Sequence, residues 1–292
     1  MISVLDKINA DIEKIKILIT NFLLNHSSIF YSPVNSPDSA VFILGRSDYH
    51  WGSLRQEGKQ LQAMLFKAYN NFLEIAEVLI SDLPSDSRDE FKESSKEVLL
   101  YIEQNDDIRE PSIETIINRA ISRLDNQMSI MTTLYDSKSG SFIFIPDTNA
   151  LLTNPNIEKW EFPSVTNFEI LILPTVASEL DKLKIYHTNQ ELREKAQSII
   201  KRFKEYRRRG KITEGVTLVK NKITFRAIAV EPDFEKALSW LDRYNNDDRI
   251  IASLIHVMKN HPNSSVILVT SDFNLQNKVE FARLSFVETP GE

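Results

Sequence analysis

The chain has 292 residues, and its 35 Lys and Arg against 41 Asp and Glu give a formal net charge of −6. This length predicts two domains of about 150 residues, and 42% hydrophobic residues are enough for a core in each, which excludes a largely disordered chain. The absence of cysteine excludes disulfide frameworks, cysteine-ligated metal sites and thiol catalysis, and it is typical of a reducing compartment.

The apolar runs of the chain are too short to cross a membrane. A bilayer span needs about 20 consecutive apolar residues, and Lys14 and Lys16 interrupt the longest N-terminal stretch. The first residues also lack the basic start of a signal peptide. We therefore expect a cytoplasmic protein with no membrane partner.

Residues 1–135 carry apolar side chains at helical spacing. They form two heptad seams, Leu5, Ile8, Ile12, Ile15, Ile19 and Phe22, followed by Leu54, Gly58, Leu61, Leu65, Ala68, Phe72, Ile75 and Leu79. Further helices are predicted over 87–104 and 111–134, and a short strand over 40–44. The pattern predicts an all-α helical bundle domain. We expect the seams to pack within this bundle, and self-association into a homo-oligomer is the alternative.

From residue 142 onward the pattern changes to short apolar runs that alternate with helical segments. Three runs, 142–145, 170–173 and 266–269, have the length and continuous hydrophobicity of buried parallel strands. A hairpin is expected over 216–230, with its turn at 220–222. After a linker at 136–141, residues 142–292 are therefore predicted to form an α/β domain.

Acidic residues follow the predicted strands, at the edge where a parallel sheet binds its ligands. Asp147 follows the first run, Glu179 lies in the helix after the second, and Asp272 follows the last. The pair Asp247 and Asp248 begins another apolar helix. Each acid alone is more commonly a helix cap or a solvated side chain. Together at one edge, however, they would repel one another unless a cation neutralised them, which indicates Mg²⁺ or Mn²⁺.

Four motifs carry these acids in chain order. They are Asp147-Thr148-Asn149-Ala150-Leu151-Leu152, Glu179-Leu180-Asp181-Lys182-Leu183-Lys184, Asn246-Asp247-Asp248-Arg249-Ile250 and Thr270-Ser271-Asp272-Phe273-Asn274-Leu275-Gln276-Asn277-Lys278. In order, spacing and strand context they resemble the PIN-domain nucleases over about residues 141–288. They are most similar to the larger branch related to eukaryotic RNA-decay and ribosome-processing PIN domains. Residues 1–135 resemble no family that we can name.

The resemblance implies a three-layer α/β/α domain and metal-dependent endonucleolytic cleavage of single-stranded RNA. A water activated by one or two Mg²⁺ or Mn²⁺ ions would cleave the strand, leaving 5′-phosphate and 3′-hydroxyl ends. The catalytic, metal-binding acids that it implies are Asp147, Glu179, Asp247 and Asp272, with Asp248 as a further ligand or as the alternative to Asp247. The residues that would orient carboxylates and waters are Thr148, Asn149, Thr270, Ser271 and Asn274.

The charge is unevenly distributed along the chain. Residues 1–140 contain 14 basic and 21 acidic residues, a net of −7, whereas residues 141–292 contain 21 and 20, a net of +1. The segment 193–211 alone holds nine basic residues against two acidic ones. A solvated surface helix and a phosphate-binding face are equally weighted interpretations of this segment. The candidate RNA-binding residues are Arg202, Arg207, Arg208, Arg209 and Lys211.

Two other functional classes are also consistent with the sequence. A catalytically weak or inactive PIN fold would serve as an RNA- or protein-binding module, although the presence of all four acidic positions counts against it. A DNA nuclease is the third interpretation, because the implied mechanism does not use the 2′-hydroxyl. An inhibitory protein partner is left open, and the residues do not indicate which RNA sequence is cleaved.

Overall fold

The computed structural model describes residues 4–35, 46–105, 108–133, 141–261 and 264–291. These divide into two compact units, one comprising the described residues from Leu5 to Thr133 and the other those from Ser141 to Gly291. The predicted strand at 40–44 and the predicted linker up to residue 140 lie outside the described residues. Within the described ranges, none of the helices has the length and hydrophobicity required to cross a bilayer.

The first unit is helical. Its elements are α1 (Val4–His26), β1 (Ile29–Tyr31), β2 (Tyr49–Trp51), α2 (Gln56–Ile80), α3 (Ser85–Glu103) and α4 (Ile113–Thr133), with β1 and β2 paired antiparallel. The first predicted seam is buried from Ile8 to Phe22. An ion pair of 2.6 Å between Lys16 and Asp125 joins α1 to α4.

In α2 the buried stripe departs from the predicted heptad seam. Gly58, Leu65, Phe72 and Leu79 are buried as expected, but the remaining buried positions are Tyr69, Leu73, Ala76 and Ile80. Leu54 lies before the helix begins, and Ala68 and Ile75 are only half-buried. The physical reason is that a straight α-helix of 3.6 residues per turn drifts about 20° per heptad, so the buried stripe moves across a strict seven-residue pattern.

A buried hydrogen-bond network joins three helices of this unit. The side-chain amide of Gln127 on α4 donates to the Tyr69 hydroxyl of α2 at 2.7 Å and to Ser95 Oγ of α3 at 2.8 Å. The amide nitrogen of Gln127 is thus paired twice, whereas its Oε1 is buried without a hydrogen-bond partner in the described ranges.

The second unit is built on a six-stranded sheet. Its strands are β3 (Phe142–Pro146), β4 (Phe168–Ile172), β5 (Val216–Val219), β6 (Ile223–Ala227), β7 (Ser265–Val269) and β8 (Ser285–Val287), in the spatial order β5-β6-β4-β3-β7-β8. Its helices are α5 (Thr148–Thr153), α6 (Pro174–Tyr186), α7 (Gln190–Arg209), α8 (Asn246–Asn260) and α9 (Phe273–Phe281), with 3₁₀ turns at Ile157–Lys159 and Phe234–Lys236. The predicted class is confirmed: a mixed α/β fold with a mostly parallel central sheet, preceded by helices.

The central strands explain why the acids meet. β3 lies between β4 and β7 and pairs with both in parallel, so that Phe144 is opposite Ile170 on one side and Ile267 on the other. All three strands therefore end at the same edge of the sheet. The antiparallel pair β5–β6 forms the predicted hairpin at the far side, and Asn221 has the positive φ of 58° that its tight turn requires.

Candidate active site

Four acidic side chains line one cavity of about 370 Å³ in the second unit. Asp147 directly follows β3, Glu179 lies in α6, Asp247 lies in the first turn of α8, and Asp272 follows β7 as the cap of α9. The four come from separate segments spanning more than a hundred residues. The fold brings them to the carboxyl edge of the sheet, where parallel sheets bind ligands.

Asp147 is the buried member of this group, with only 3% of its surface exposed. Its Oδ1 accepts the Ala150 amide at 2.6 Å, which caps α5, and its Oδ2 accepts the Thr270 hydroxyl. Burial raises the pKa of Asp147 from 3.8 to about 6, against the lowering effect of these hydrogen bonds and with a further upward contribution from the charges of Asp272 and Glu179. The charges of Asp272 and Glu179 therefore act on the buried carboxylate of Asp147.

Glu179 is held by two side chains from other segments. Thr148 Oγ1 donates to one carboxylate oxygen, and Asn246 Nδ2 donates to the other at 2.6 Å. Thr148 is one of the orienting residues that the sequence predicts. The sequence does not predict Asn246 as an orienting residue. It stands beside the acid pair 247–248, but that position does not reveal a partner 67 residues away.

The adjacent acids Asp247 and Asp248 have different surroundings. Asp247 lines the cavity, whereas Asp248 is buried outside the group of lining residues and accepts the Asp242 amide at 3.0 Å and the Lys278 ammonium at 2.7 Å. Lys278 Nζ also lies 3.5 Å from Asp247. Burial lowers the pKa of Lys278, but the hydrogen bonds and charges of the two acids outweigh it and raise the pKa overall. Asp248 is thus ion-paired, and Asp247 faces the cavity.

Asp272 begins α9 and uses one oxygen to do so. Its Oδ1 accepts the backbone amides of Asn274 at 2.8 Å and Leu275 at 3.1 Å, and its own amide donates to Thr270 Oγ1 at 3.1 Å. Thr270 therefore bridges Asp147 and Asp272. Asn274 contributes through its backbone.

The other two predicted orienting residues are placed differently. Asn149 lines the cavity. Ser271 is exposed, and its hydroxyl donates to Thr289 at 3.1 Å. Of the five residues predicted to orient the site, Thr148 and Thr270 hold a cavity-lining carboxylate through their side chains.

The site and its fold match a known family. The model of the PIN domain matches residues 144–289, half of the chain and nearly all of the second unit. The chain belongs to the PIN-domain family. No curated protein matches it in sequence. PIN domains are generally nucleases, and they typically use divalent metal ions.

The lining of this PIN domain's cavity fits such an ion by its chemistry. All four titratable acids offer carboxylate oxygens, the donors that Mg²⁺ and Mn²⁺ prefer. Burial, and after it the charges of Asp272 and Glu179, raise the pKa of Asp147, and a bound cation would offset both effects. As the side chains stand, no three Asp, Glu or His residues in the described ranges are grouped closely enough to hold an ion.

The remaining cavity wall of the PIN domain is a mixture of a cation and apolar side chains. Lys182 lines it one turn after Glu179, together with Leu183, Ile250 and Leu275. The sequence pattern did not single out Lys182, since it stands in a run of ordinary surface charges.

The basic segment of the PIN domain corresponds to α7 and the residue after Gly210. Arg202 is engaged within the fold, donating to the Pro155 carbonyl and to Asn156 Oδ1, each at 2.8 Å. Arg207, Arg208 and Arg209 are exposed in the last turn. The guanidinium of Arg209 lies 5.3 Å from the ring centroid of the buried Tyr206, and Lys211 pairs with Glu214 at 2.9 Å. Arg207 and Arg208 thus differ from Arg202 in facing solvent.

Proposed function

We propose that this PIN domain is a Mg²⁺- or Mn²⁺-dependent endoribonuclease that cleaves single-stranded RNA and leaves 5′-phosphate and 3′-hydroxyl ends. The observation that carries the proposal is the convergence of Asp147, Glu179, Asp247 and Asp272 on one cavity. A scaffold that gathers four carboxylates, one of them buried, accepts a cost in repulsion and desolvation. That cost is offset when a divalent cation binds.

The four cavity acids would hold the cation, with Asp247 as the acid of its segment because it lines the cavity, whereas Asp248 does not and is the closer partner of Lys278, at 2.7 Å against 3.5 Å. When bound, the cation supplies positive charge to the phosphodiester and lowers the pKa of a water. The chain's own part is positioning. Thr270 orients Asp147, and Thr148 and Asn246 fix both oxygens of Glu179. Hydrogen-bonded carboxylates lose little freedom on binding an ion, which favours affinity.

The exposed arginines at the end of α7 would bind the RNA backbone. The last turn of α7 contains three consecutive arginines, Arg207, Arg208 and Arg209. Phosphate contacts supply affinity without sequence preference. We therefore assign this group to general RNA affinity and the cavity to cleavage.

The decisive experiment is a cleavage assay on the full chain. End-labelled single-stranded RNA, single-stranded DNA and the matching duplexes are incubated with Mn²⁺, Mg²⁺ or EDTA. Glu179→Gln is compared with Asp181→Asn, a matched acid-to-amide change on the same helix whose carboxylate is exposed and pairs with Lys184. We expect metal-dependent cleavage of single-stranded RNA that Glu179→Gln, Asp147→Asn and Asp272→Asn each reduce by at least about a hundredfold, while Asp181→Asn retains it.

Each other result rejects a specific part of the proposal. Cleavage that persists in EDTA or in Asp147→Asn rejects the metal–carboxylate site. Faster cleavage of DNA than of RNA makes the protein a deoxyribonuclease. RNA binding without cleavage in either metal supports the inactive binding module.

The role of α7 is tested by the salt dependence of RNA affinity. Replacing Arg207, Arg208 and Arg209 together by alanine should weaken binding for every sequence and reduce the slope of log K against log[salt] by about two, at ~0.7 per lost phosphate contact. Lys220→Ala, at the exposed turn between β5 and β6, serves as the control. An unchanged slope in the triple variant removes α7 from the binding surface.

A further inference from the structure

One face of α6 runs from the acidic cavity to an exposed aromatic ring. Glu179, Lys182, Leu183 and Tyr186 stand at positions i, i+3, i+4 and i+7 of this helix, so they lie on the same side. The first three line the cavity. The fourth is the last residue of the helix, and its side chain is 79% exposed. We refer to Lys182 and Tyr186 together as the α6 track.

The two side chains of the α6 track are not used by the fold. Among the residues that the structure describes, Lys182 has no acidic partner and Tyr186 has no hydrogen-bond or ring partner. The neighbouring Lys184 lies on another side of α6 and pairs with Asp181 at 2.9 Å. A tyrosine that is four-fifths exposed contributes little to stability, because its ring remains in water. The α6 track is therefore available to a ligand.

The chemistry of the α6 track selects the ligand. An ammonium group beside four carboxylates is suited to a phosphate, which those carboxylates would otherwise repel. An exposed aromatic face stacks on a nucleobase only if that base is not already stacked and paired in a duplex. The seven steps from Glu179 to Tyr186 span about 10 Å along the helix axis, at ~1.5 Å each. This is the rise of about three stacked nucleotides at ~3.4 Å each.

We propose that the α6 track binds the single strand on one side of the cleaved bond, with Lys182 contacting a backbone phosphate and Tyr186 stacking on an unpaired base about three nucleotides from the cleaved bond. The inference rests on the proposed nuclease function and adds to it. It identifies the exposed ring of Tyr186 as the feature that makes the site require unpaired bases, and it applies that requirement to the part of the RNA that lies along α6.

Binding of short oligonucleotides in EDTA tests the proposal without cleavage. The probes are a fluorescein-labelled single-stranded RNA, the same RNA in a duplex, and single strands carrying 2-aminopurine at successive positions. The variants are Tyr186→Ala, Tyr186→Trp and Lys182→Gln. Ile185→Ala and Lys184→Gln are matched controls, because these residues are on the same two turns of α6 but belong to its other sides.

We expect Tyr186→Ala to weaken single-strand binding by about 5- to 150-fold and to leave duplex binding unchanged. Tyr186→Trp should retain the affinity, since any large aromatic ring can stack. The 2-aminopurine fluorescence should be quenched at one position by the wild type and not by Tyr186→Ala. Lys182→Gln should reduce the salt slope by about 0.7, and both controls should behave as the wild type.

Several results would overturn the proposal. The first is that Tyr186→Ala binds single-stranded RNA with wild-type affinity, or loses no more affinity than Ile185→Ala does. The second is that Tyr186→Ala weakens single-strand and duplex binding equally. The third is a concentration-dependent self-association that Tyr186→Ala abolishes, which would assign the ring to a second copy of the chain. The proposed function fails separately. Metal-dependent cleavage with unaltered binding by Tyr186→Ala rejects only the α6 track, whereas selective loss of binding in a protein that cleaves nothing rejects only the nuclease.

Discussion

Relative to the wild type, replacing Asp147 by asparagine should make the metal-free protein progressively more stable as the pH rises from 4 to 8, because this carboxylate is buried beside two other acids. Its pKa is raised from 3.8 to about 6. In a metal-free solution both the folded and the unfolded chain hold the proton below about pH 4, so the charge costs nothing there. As the pH rises, the unfolded chain releases the proton first, and the folded state loses stability until the pH is above about 6.

The size of the effect follows from the pKa difference. A change of one pKa unit corresponds to about 1.4 kcal/mol, so the charged Asp147 costs the fold about 3 kcal/mol at pH 8. Asparagine has nearly the same shape, can still cap α5 through its oxygen, and never carries the charge. Its amide nitrogen cannot accept the Thr270 hydroxyl, but that cost does not change with pH. Relative to the wild type, Asp147→Asn should therefore gain about 2–3 kcal/mol of stability between pH 4 and pH 8.

The assay is urea unfolding of the full chain in EDTA across this pH range. Hydrogen exchange of amides in β3 and β7 reports on the PIN domain separately from the helical unit. Asp181→Asn is the control, since its exposed carboxylate should produce no difference that changes with pH. With Mn²⁺ at about a hundred times the dissociation constant, the wild type should gain about 2.7 kcal/mol and the variant much less.

Two outcomes would refute this reasoning. A difference between Asp147→Asn and the wild type that stays constant from pH 4 to pH 8 means that the buried carboxylate is not held at a cost. A wild type that gains no stability from Mn²⁺ or Mg²⁺ means that the cost is not offset by a cation.

Three further predictions concern single buried groups and can be measured by the same unfolding assay. The Thr175 hydroxyl is buried without a hydrogen-bond partner in the described ranges, so Thr175→Val should stabilise the protein by about 1 kcal/mol. Thr270→Val removes a donor to a buried carboxylate and should destabilise the protein by about 2 kcal/mol. Equal effects of the two substitutions would contradict the assignment of partners. Lys278→Met should cost about 3 kcal/mol because it leaves the buried Asp248 carboxylate without a cation, and adding Asp248→Asn should recover part of that cost. Gln127→Leu should cost about 1 kcal/mol in the helical unit, because it removes the donor to the Tyr69 and Ser95 hydroxyls but also removes the buried Gln127 Oε1, which has no partner in the described ranges. An unchanged midpoint would show that the network contributes nothing.

Local sequence determined the elements that carry the site. Continuous apolar runs predicted β3, β4 and β7 within about two residues, because a strand buried on both faces needs no polar side chain. The residues that end such strands or begin the next helix are polar, so Asp147 and Asp272 could be found within three residues of the end of each run. Glu179 and Asp247 followed from the same reasoning and from the family resemblance.

The partners of these acids depended on tertiary structure. Asn246 reaches Glu179 across 67 residues and Lys278 reaches Asp248 across 30, distances over which no local spacing rule operates. The two adjacent aspartates were equivalent in sequence, and only packing against Lys278 and the Asp242 amide separated them. In sequence, Arg202 likewise cannot be distinguished from the other residues of the basic segment. In the structure its guanidinium donates to the Pro155 carbonyl.

The net charge of −6 illustrates the same division. Sequence fixes how many charges there are and which segments hold them, because these are properties of the chain. Whether a carboxylate repels a phosphate, pairs with a lysine or joins other acids in a cavity depends on distance and burial. Those are set by the order of the strands, with β3 between β4 and β7, and therefore by the fold as a whole.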